Sequence, residues 1–353
     1  MSSISPGPIG LLGSGETSLA GGRLFEAIAQ NLPRPLHIAI LETPAGFELN
    51  SEQVAGRVST YLQTRLQNYN PQIAVIPARK RGLNESPDNP AILEPLRYAN
   101  LIFMGPGSPT YAIRQLRNSL AWDILRARHR QGAALVFASA AVIAIGAWSL
   151  PVYEVFKVGQ DVHVVPGLNL FADYSLRLSL LPHWNNTDGG SEVDTSRCFI
   201  GMERFAQWHS LVPADNVILG LDEHTGILLD FEKRCCTVSG VSSVTLLQNL
   251  QTEIFPSGTS FPLDRLGNFK TPETVESGLS AAALDFLRLS PDPEPAPVPT
   301  AEVLALVQAR QQARLHKDWA EADRLRAQIA TLGWTVQDTP AGPKLIRRDT
   351  AEQ

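Results

Sequence analysis

From residue 9 to residue 139 the chain repeats one pattern, a short and almost wholly apolar run followed by an amphipathic stretch. The runs are "IGLLG" (9–13), "LHIAILETP" (36–44), "IAVIPA" (73–78), "NLIFMGPG" (100–107) and "AALVFAS" (133–139). Helical spacing fills the intervals at 21–32, 51–69 with Ser51 as cap, 91–99, and 110–132 with a small break. Apolar strands that alternate with helices predict an α/β fold with a parallel sheet covered on both faces. Such sheets bind ligands beyond the carboxyl ends of their strands. Here those ends are "GSGE" (13–16), "ETP" (42–44), "GPGSP" (105–109) and Ser139. Beyond residue 150 the pattern turns to β-type runs at 161–170, 216–223, 225–241 and 243–250, with "FEKR" (231–234) as a hairpin turn. A loop over 255–277 and a short helix over 280–290 are expected to follow.

The rest of the composition mostly excludes. Hydrophobic residues make up 44% of the 353, enough for a real core, and the net charge of −5 gives no global field to hold nucleic acid. Three cysteines, Cys198, Cys235 and Cys236, form neither a disulfide framework nor a metal-type spacing; buried thiols in a reducing interior are expected. The start of the chain has no signal-peptide pattern, and no run approaches the ~20 apolar residues of a membrane span. A soluble, cytoplasmic protein with no membrane partner is the expectation. "SPDPEPAPVPT" (290–300) is too rich in proline for a helix or a central strand and reads as an extended linker. It divides a body (1–289) from a tail (301–353). The tail reads as one helical stretch capped by Thr300 and stopped by Gly333, then a strand–turn–strand over 334–347.

Ser139 ends an apolar strand and meets helix-forming residues at once, as a nucleophile on a strand-to-helix elbow does. It needs a base to accept its proton. Of seven histidines, His37 starts a buried strand, His129 sits on a helix expected to be exposed, His163 lies in a polar/apolar alternation, His209 in a loop and His316 in the tail. His183 is different, because "LSLLP" delivers it into the polar "WNNTDGG"; His224 follows "GLDE" directly. Asp222 and Glu223 should face opposite ways at the end of an extended strand. One of them could orient an imidazole and stabilise its cation. Backbone amides for an oxyanion are available at Gly107 or Ser108, since Pro106 has none, and at Ala140, where a helix begins. "GSGE" lacks the rest of a phosphate loop.

The succession "IGLLGSGE", "IAILETPA", "LIFMGPGSPTYAIRQL", "FASAA", "LLPHW", "GLDEHTGILLD" resembles the cyanophycinase and dipeptidase E family of serine peptidases, over about residues 8–250. The resemblance implies a three-layer sandwich with a mainly parallel central sheet, similar to class I glutamine amidotransferases. It implies a triad of Ser139, His183 and Glu223, no metal or organic cofactor, and small aspartyl or isoaspartyl peptides as substrates. Oxyanion donors would be Gly107 and Ala140; Gly105, Ser108, Asn185 and Arg177 are candidates for substrate contact, with Arg79, Lys80 and Arg81 as further basic groups. Relatives are often dimers, so the resemblance allows a homodimer, while the sequence itself does not give the oligomeric state. Two departures matter. Phe137 and Ala141 stand where the family's elbow carries glycines, and a Phe137 ring in the oxyanion space would close it. "WNNTDGGSEVD" replaces the arginine-rich stretch of cyanophycinases, which argues against an aspartyl-arginine polymer.

The tail's "ARLHKDWAEADRLRAQIATLGWTVQDTPAGPKLIR" resembles the C-terminal end of cysteinyl-tRNA synthetase, while that enzyme's HIGH and KMSKS signatures and zinc cysteines are absent. No synthetase activity is expected. Arg310, Arg314, Lys317, Arg324 and Arg326 are interleaved with acids, giving either a salt-bridged solvated helix or a tRNA contact. Two functions therefore stand: a serine hydrolase of small peptides, or a degraded binding module whose tail contacts tRNA or a protein.

Overall fold

The computed structural model describes residues 4–248, 251–288, 301–316, 318–339 and 342–347. Two compact units divide at Ser290/Pro291. The first opens with the expected alternation: β1 (Ile9–Leu12), α1 (Leu19–Ala29), β2 (Leu36–Leu41), α2 (Ser51–Arg65), β3 (Pro71–Ile76), α3 (Pro90–Leu93), β4 (Leu101–Met104), α4 (Pro109–Leu116), α5 (Leu120–Arg130), β5 (Ala134–Ala138) and α6 (Ala140–Ala144). The short pieces β6 (Trp148–Ser149), α7 (Val152–Phe156) and β7 (Val165–Pro166) follow. Then come β8 (Leu178–Leu181), α8 (Gly201–Leu211), β9 (Val217–Leu221), β10 (Thr225–Asp230), β11 (Cys235–Gly240), β12 (Ser243–Gln248), β13 (Gln251–Pro256), β14 (Ser260–Pro262) and α9 (Ala281–Arg288).

Eight strands form one sheet in the order β14-β11-β10-β1-β5-β4-β2-β3. The five from β1 to β3 pair in parallel, and β10, β11 and β14 extend the sheet antiparallel. A second sheet, β13-β12-β9-β8, pairs β8 with β9 in parallel. Each parallel strand sends alternate residues to opposite faces. Leu11, Leu41, Met104 and Phe137 join the layer that holds α5, α6 and α9. Leu12, Ile40, Phe103 and Ala138 join the layer that holds α1 and α2. The result is the three-layer α/β sandwich.

Several local expectations give way. Asn50, not Ser51, precedes α2, and the Ser51 hydroxyl instead donates to Glu42 (3.0 Å). The 110–132 stretch, by contrast, is helical with the small break allowed for it, at Arg117, and the Ser119 cap restarts it. Only Val165–Pro166 of 161–170 is strand, β13 and β14 occupy part of the expected loop, and His209 lies in α8 rather than a loop. Among the described residues, no helix is long and apolar enough to cross a membrane.

The second unit contains α10 (Ala301–Leu315), α11 (Trp319–Thr331) and the antiparallel pair β15 (Trp334–Thr339) and β16 (Gly342–Arg347) around Val303, Val307, Ile329 and Val336. The expected single helix is thus a pair. Asp318 restarts it by accepting from the Glu321 amide (3.1 Å), and Gly333 ends it at φ +82°. Thr300 and the 290–300 linker lie outside the described residues. So does Lys317.

Candidate active site

The central strand β5 ends at Ala138, and α6 begins two residues later. Ser139 makes the whole turn, at φ +52° and ψ −120°. That conformation is costly for a residue with a Cβ and persists only where the surroundings impose it. It leaves the serine half-buried at the carboxyl edge of the sheet while its neighbours on both sides are fully covered.

The other two candidate residues arrive on the second sheet. β8 and β9 run parallel and end side by side, at Leu181 and Leu221. Past these ends come His183, itself at φ +51°, and Glu223. Gly13, at the end of β1, is the seam between the two sheets. Its carbonyl accepts from the His183 amide (3.2 Å). A Cβ there would stand 2.1 Å from the Asp222 carbonyl oxygen, so only glycine lets the strands approach this closely.

The three side chains meet in line. Ser139 Oγ lies 3.0 Å from His183 Nε2, and His183 Nδ1 lies 2.9 Å from Glu223 Oε1. An ionised carboxylate only accepts, so Nδ1 carries the proton and Nε2 presents its lone pair to the serine. Glu223 is held twice more. Asn186 Nδ2 donates to its Oε1 (2.9 Å), and Asn185 Oδ1 accepts from its backbone amide (2.8 Å). Burial alone would raise this carboxyl. The hydrogen bonds from Asn186 and His183 and the charges of His183 and His224 outweigh it and hold Glu223 below the ordinary carboxylate range. Asp222 turns the other way and accepts from Ser242 and Ser243. His224 makes no triad contact; its amide donates to Ser14 Oγ (3.0 Å).

Two backbone amides are the candidate oxyanion donors. Among the described residues, neither Gly107 N–H nor Ala140 N–H has an acceptor. Ser108 is excluded as the donor because its N–H goes to the Pro44 carbonyl (2.9 Å). Gly107 is at φ +143°, and a Cβ on it would lie 2.0 Å from that same carbonyl oxygen, so glycine is required there. Phe137 does not obstruct this space. Its ring is 0% exposed, on the α5/α6 face of the sheet, among Leu11, Met104 and Val142. The pleat carries it into the core two residues before the elbow.

The other candidates for substrate contact fare differently. The Gly105 carbonyl accepts from Ala141 N–H (3.3 Å) and so steadies the elbow. Ser108 caps α4 through Tyr111 N–H (3.2 Å). Asn185 holds the acid's backbone. Arg177 is a correction: it precedes β8, at the end of the strand away from His183, and pairs with Asp215. Arg79 is held by Glu42 (2.7 Å) and Glu85 (3.2 Å), and Arg81 by Asp88 (3.2 Å). These pairings neutralise Arg79 and Arg81, while Lys80 is exposed. Asn186, 2% exposed, is a site residue that the sequence reading missed. Its signal was its place beside Asn185, three residues past the histidine.

Comparison with known proteins divides the chain as its two units do. A solved peptidase from an acI-B1 Actinobacterium superposes with a TM-score of 0.59, covering 74% of this chain and 98% of that one, at 20% identity. The first unit has that peptidase's fold. The family model of the cysteinyl-tRNA ligase anticodon binding domain matches residues 296–342. The cysteine–tRNA ligase of Rubrobacter xylanophilus is 51% identical over 47 residues, 13% of this chain and 10% of the ligase. That of Methanosarcina mazei is 50% identical over 48 residues, 14% of this chain and 10% of the ligase. The chain thus spans about a tenth of the length of these ligases.

In that tail the basic residues are not a uniform stripe. Arg310 is 3% exposed, Arg324 pairs with Glu321 (2.6 Å), Arg314 stands over the Trp319 ring at 5.7 Å, and Arg326 is exposed.

Proposed function

We propose that the body is a serine hydrolase of small peptide-type amides. One observation carries this reading: a continuous hydrogen-bonded line from Ser139 through His183 to Glu223, with the serine on a left-handed strand-to-helix turn. His183 Nε2 takes the hydroxyl proton as Ser139 Oγ bonds to the substrate's carbonyl carbon. The Gly107 and Ala140 amides hold the oxyanion, and the start of α6 adds positive potential. His183 then returns the proton to the leaving amine, and water releases the acyl group by the same steps in reverse order. Glu223 stabilises the imidazolium in both halves. Aspartyl and isoaspartyl dipeptides are the substrates that the family resemblance suggests.

The test is amino-acid release from a panel of aspartyl, isoaspartyl and neutral dipeptides. Cleavage by the wild type, with at least a ~100-fold loss in both Ser139→Ala and His183→Ala, is expected for triad members. A wild type that is silent across the panel, or variants that match it, would overturn the reading.

A second reading concerns the tail, which we propose contacts tRNA. The match of residues 296–342 to an anticodon-binding family favours it. Full-length protein should shift tRNA on a native gel at low salt, and Arg326→Glu should weaken the shift. No shift at low salt would sink it.

A further inference from the structure

The segment after the histidine holds the least ordinary backbone in the body. Arg197, Cys198 and Phe199 are successive non-glycine residues at φ +57°, +63° and +70°, followed by Gly201 at +76°. Side chains resist this conformation, and a run of three is held only by outside contacts. Those contacts are present. Arg197 N–H donates to the Trp184 carbonyl (2.9 Å) and Cys198 N–H to the His183 carbonyl (3.1 Å). The Arg197 guanidinium donates to the same Trp184 carbonyl (2.9 Å) and lies 4.0 Å over the Trp184 ring. This turn sets the Phe199 ring 5.0 Å from the His183 imidazole, centre to centre. Phe156, from α7, stands 5.9 Å beyond it and is 38% exposed.

The serine-hydrolase reading, on which this inference rests, fixes what must lie there. His183 Nε2 hands its proton to the leaving nitrogen, so that nitrogen sits within hydrogen-bond reach of the imidazole. A side chain on the leaving residue then lies beside the ring packed on that imidazole, Phe199, with Phe156 behind it. We infer that Phe199 and Phe156 form an apolar subsite for the side chain of the leaving amino acid, so that the enzyme prefers a leaving residue with an aliphatic or aromatic side chain. The strained turn keeps a large ring where glycine would fit the backbone better. Arg197 is engaged with Trp184. Lys157, next to Phe156 in the chain and 5.5 Å from the Tyr153 ring, offers the competing preference, an acidic leaving residue.

The experiment uses dipeptides that share one cleaved N-terminal residue and end in Leu, Phe, Gly, Asp or Arg. Wild type should show kcat/KM for Leu and Phe at least ~10-fold above Gly and Asp, the range a hydrophobic pocket supplies. Phe199→Gly suits φ +70° and should keep its melting temperature near that of the wild type. It should flatten the preference by lowering kcat/KM for the Leu- and Phe-ending substrates several-fold more than for the Gly-ending one. Phe199→Leu should keep most of the preference. Equal loss on every substrate in Phe199→Gly would mean that the ring only holds His183, and the subsite would be overturned. Preference for the Asp-ending substrate would overturn it in favour of Lys157. If Ser139→Ala cleaves the panel as fast as wild type, the hydrolase reading fails first and the subsite falls with it.

Discussion

His129 and His183 are both hydrogen-bonded through both ring nitrogens, yet they sit in opposite kinds of surroundings. His129 Nε2 lies 2.7 Å from the Gly7 carbonyl oxygen, and Nδ1 lies 2.7 Å from the Tyr174 hydroxyl. A carbonyl only accepts, so Nε2 carries the proton and Nδ1 accepts from Tyr174. The residue is 1% exposed, in regular helix, with Tyr174 and Phe231 packed edge-on to its ring. His183 carries its proton on the other nitrogen, faces a carboxylate, and is partly buried on a left-handed residue. Hydrogen bonding alone does not make a histidine a base. A neutral acceptor fixes a tautomer, whereas an anion also stabilises the cation that proton transfer creates. Burial presses His129 down to about 4, against a small opposing effect of its bond to Gly7.

The largest expected effect tests the anion. Glu223→Gln keeps an acceptor beside His183 and the shape of the site but removes the charge. Activity should fall by about 10²–10⁴-fold with little change in the melting temperature. A fall of less than about tenfold would mean that the carboxylate merely positions the ring, as Gly7 does for His129.

The next effect belongs to His129. It should ionise near 6.5 when unfolded and only near 4 when folded. The unfolded chain therefore binds the extra proton between those values. The stability that the neutral ring contributes is complete above pH 6.5 and is lost as pH falls toward 4, a loss of about 3 kcal/mol. Urea unfolding at pH 7 and pH 4.5 should show most of this loss in the wild type, and a shallower one in His129→Gln. Equal slopes would mean that the ring is protonated in the folded protein.

Tyr174→Phe is smaller. It leaves His129 Nδ1 buried without a donor and should cost about 1–3 kcal/mol, with activity per folded molecule unchanged. A parallel loss of activity would couple the two histidines, which belong to opposite ends of β1: His129 bonds Gly7 ahead of that strand and His183 bonds Gly13 after it.

Both histidines show what the sequence could and could not convey. The elbow, the strand that delivers His183 and the acid at the end of β9 were legible, because apolar runs and strand ends are local signals. His129 was not. "RARHRQG" reads as solvated, but Arg126 and Arg130 are neutralised by Asp173 and Tyr174 covers the ring, and these partners come from more than 40 residues away. β13 escaped because it is an edge strand whose exposed residues carry no apolar alternation. Phe137 stands where the resembled family has glycine, and the pleat turns its ring into the core, away from the serine.

The smallest expected effect sharpens the comparison from the acid's side. Asn186→Ala removes one of the hydrogen bonds that hold Glu223 Oε1 and keep its carboxyl low. Asn185 still holds the backbone of Glu223, so the fold of the loop should survive. With a weaker hold, Glu223 swings more freely and gains a proton at a higher pH. Activity at pH 7 should drop by about tenfold, the worth of one charge-assisted hydrogen bond. The acid limb of the pH–rate profile should move upward, because the carboxylate that stabilises the imidazolium is lost sooner as pH falls. Asn186→Asp should be worse than the alanine variant, since a second carboxylate beside Glu223 repels the charge on which the base depends. If the two variants match each other in rate and in acid limb, Asn186 only fills space, and the hold on the acid comes from the backbone alone.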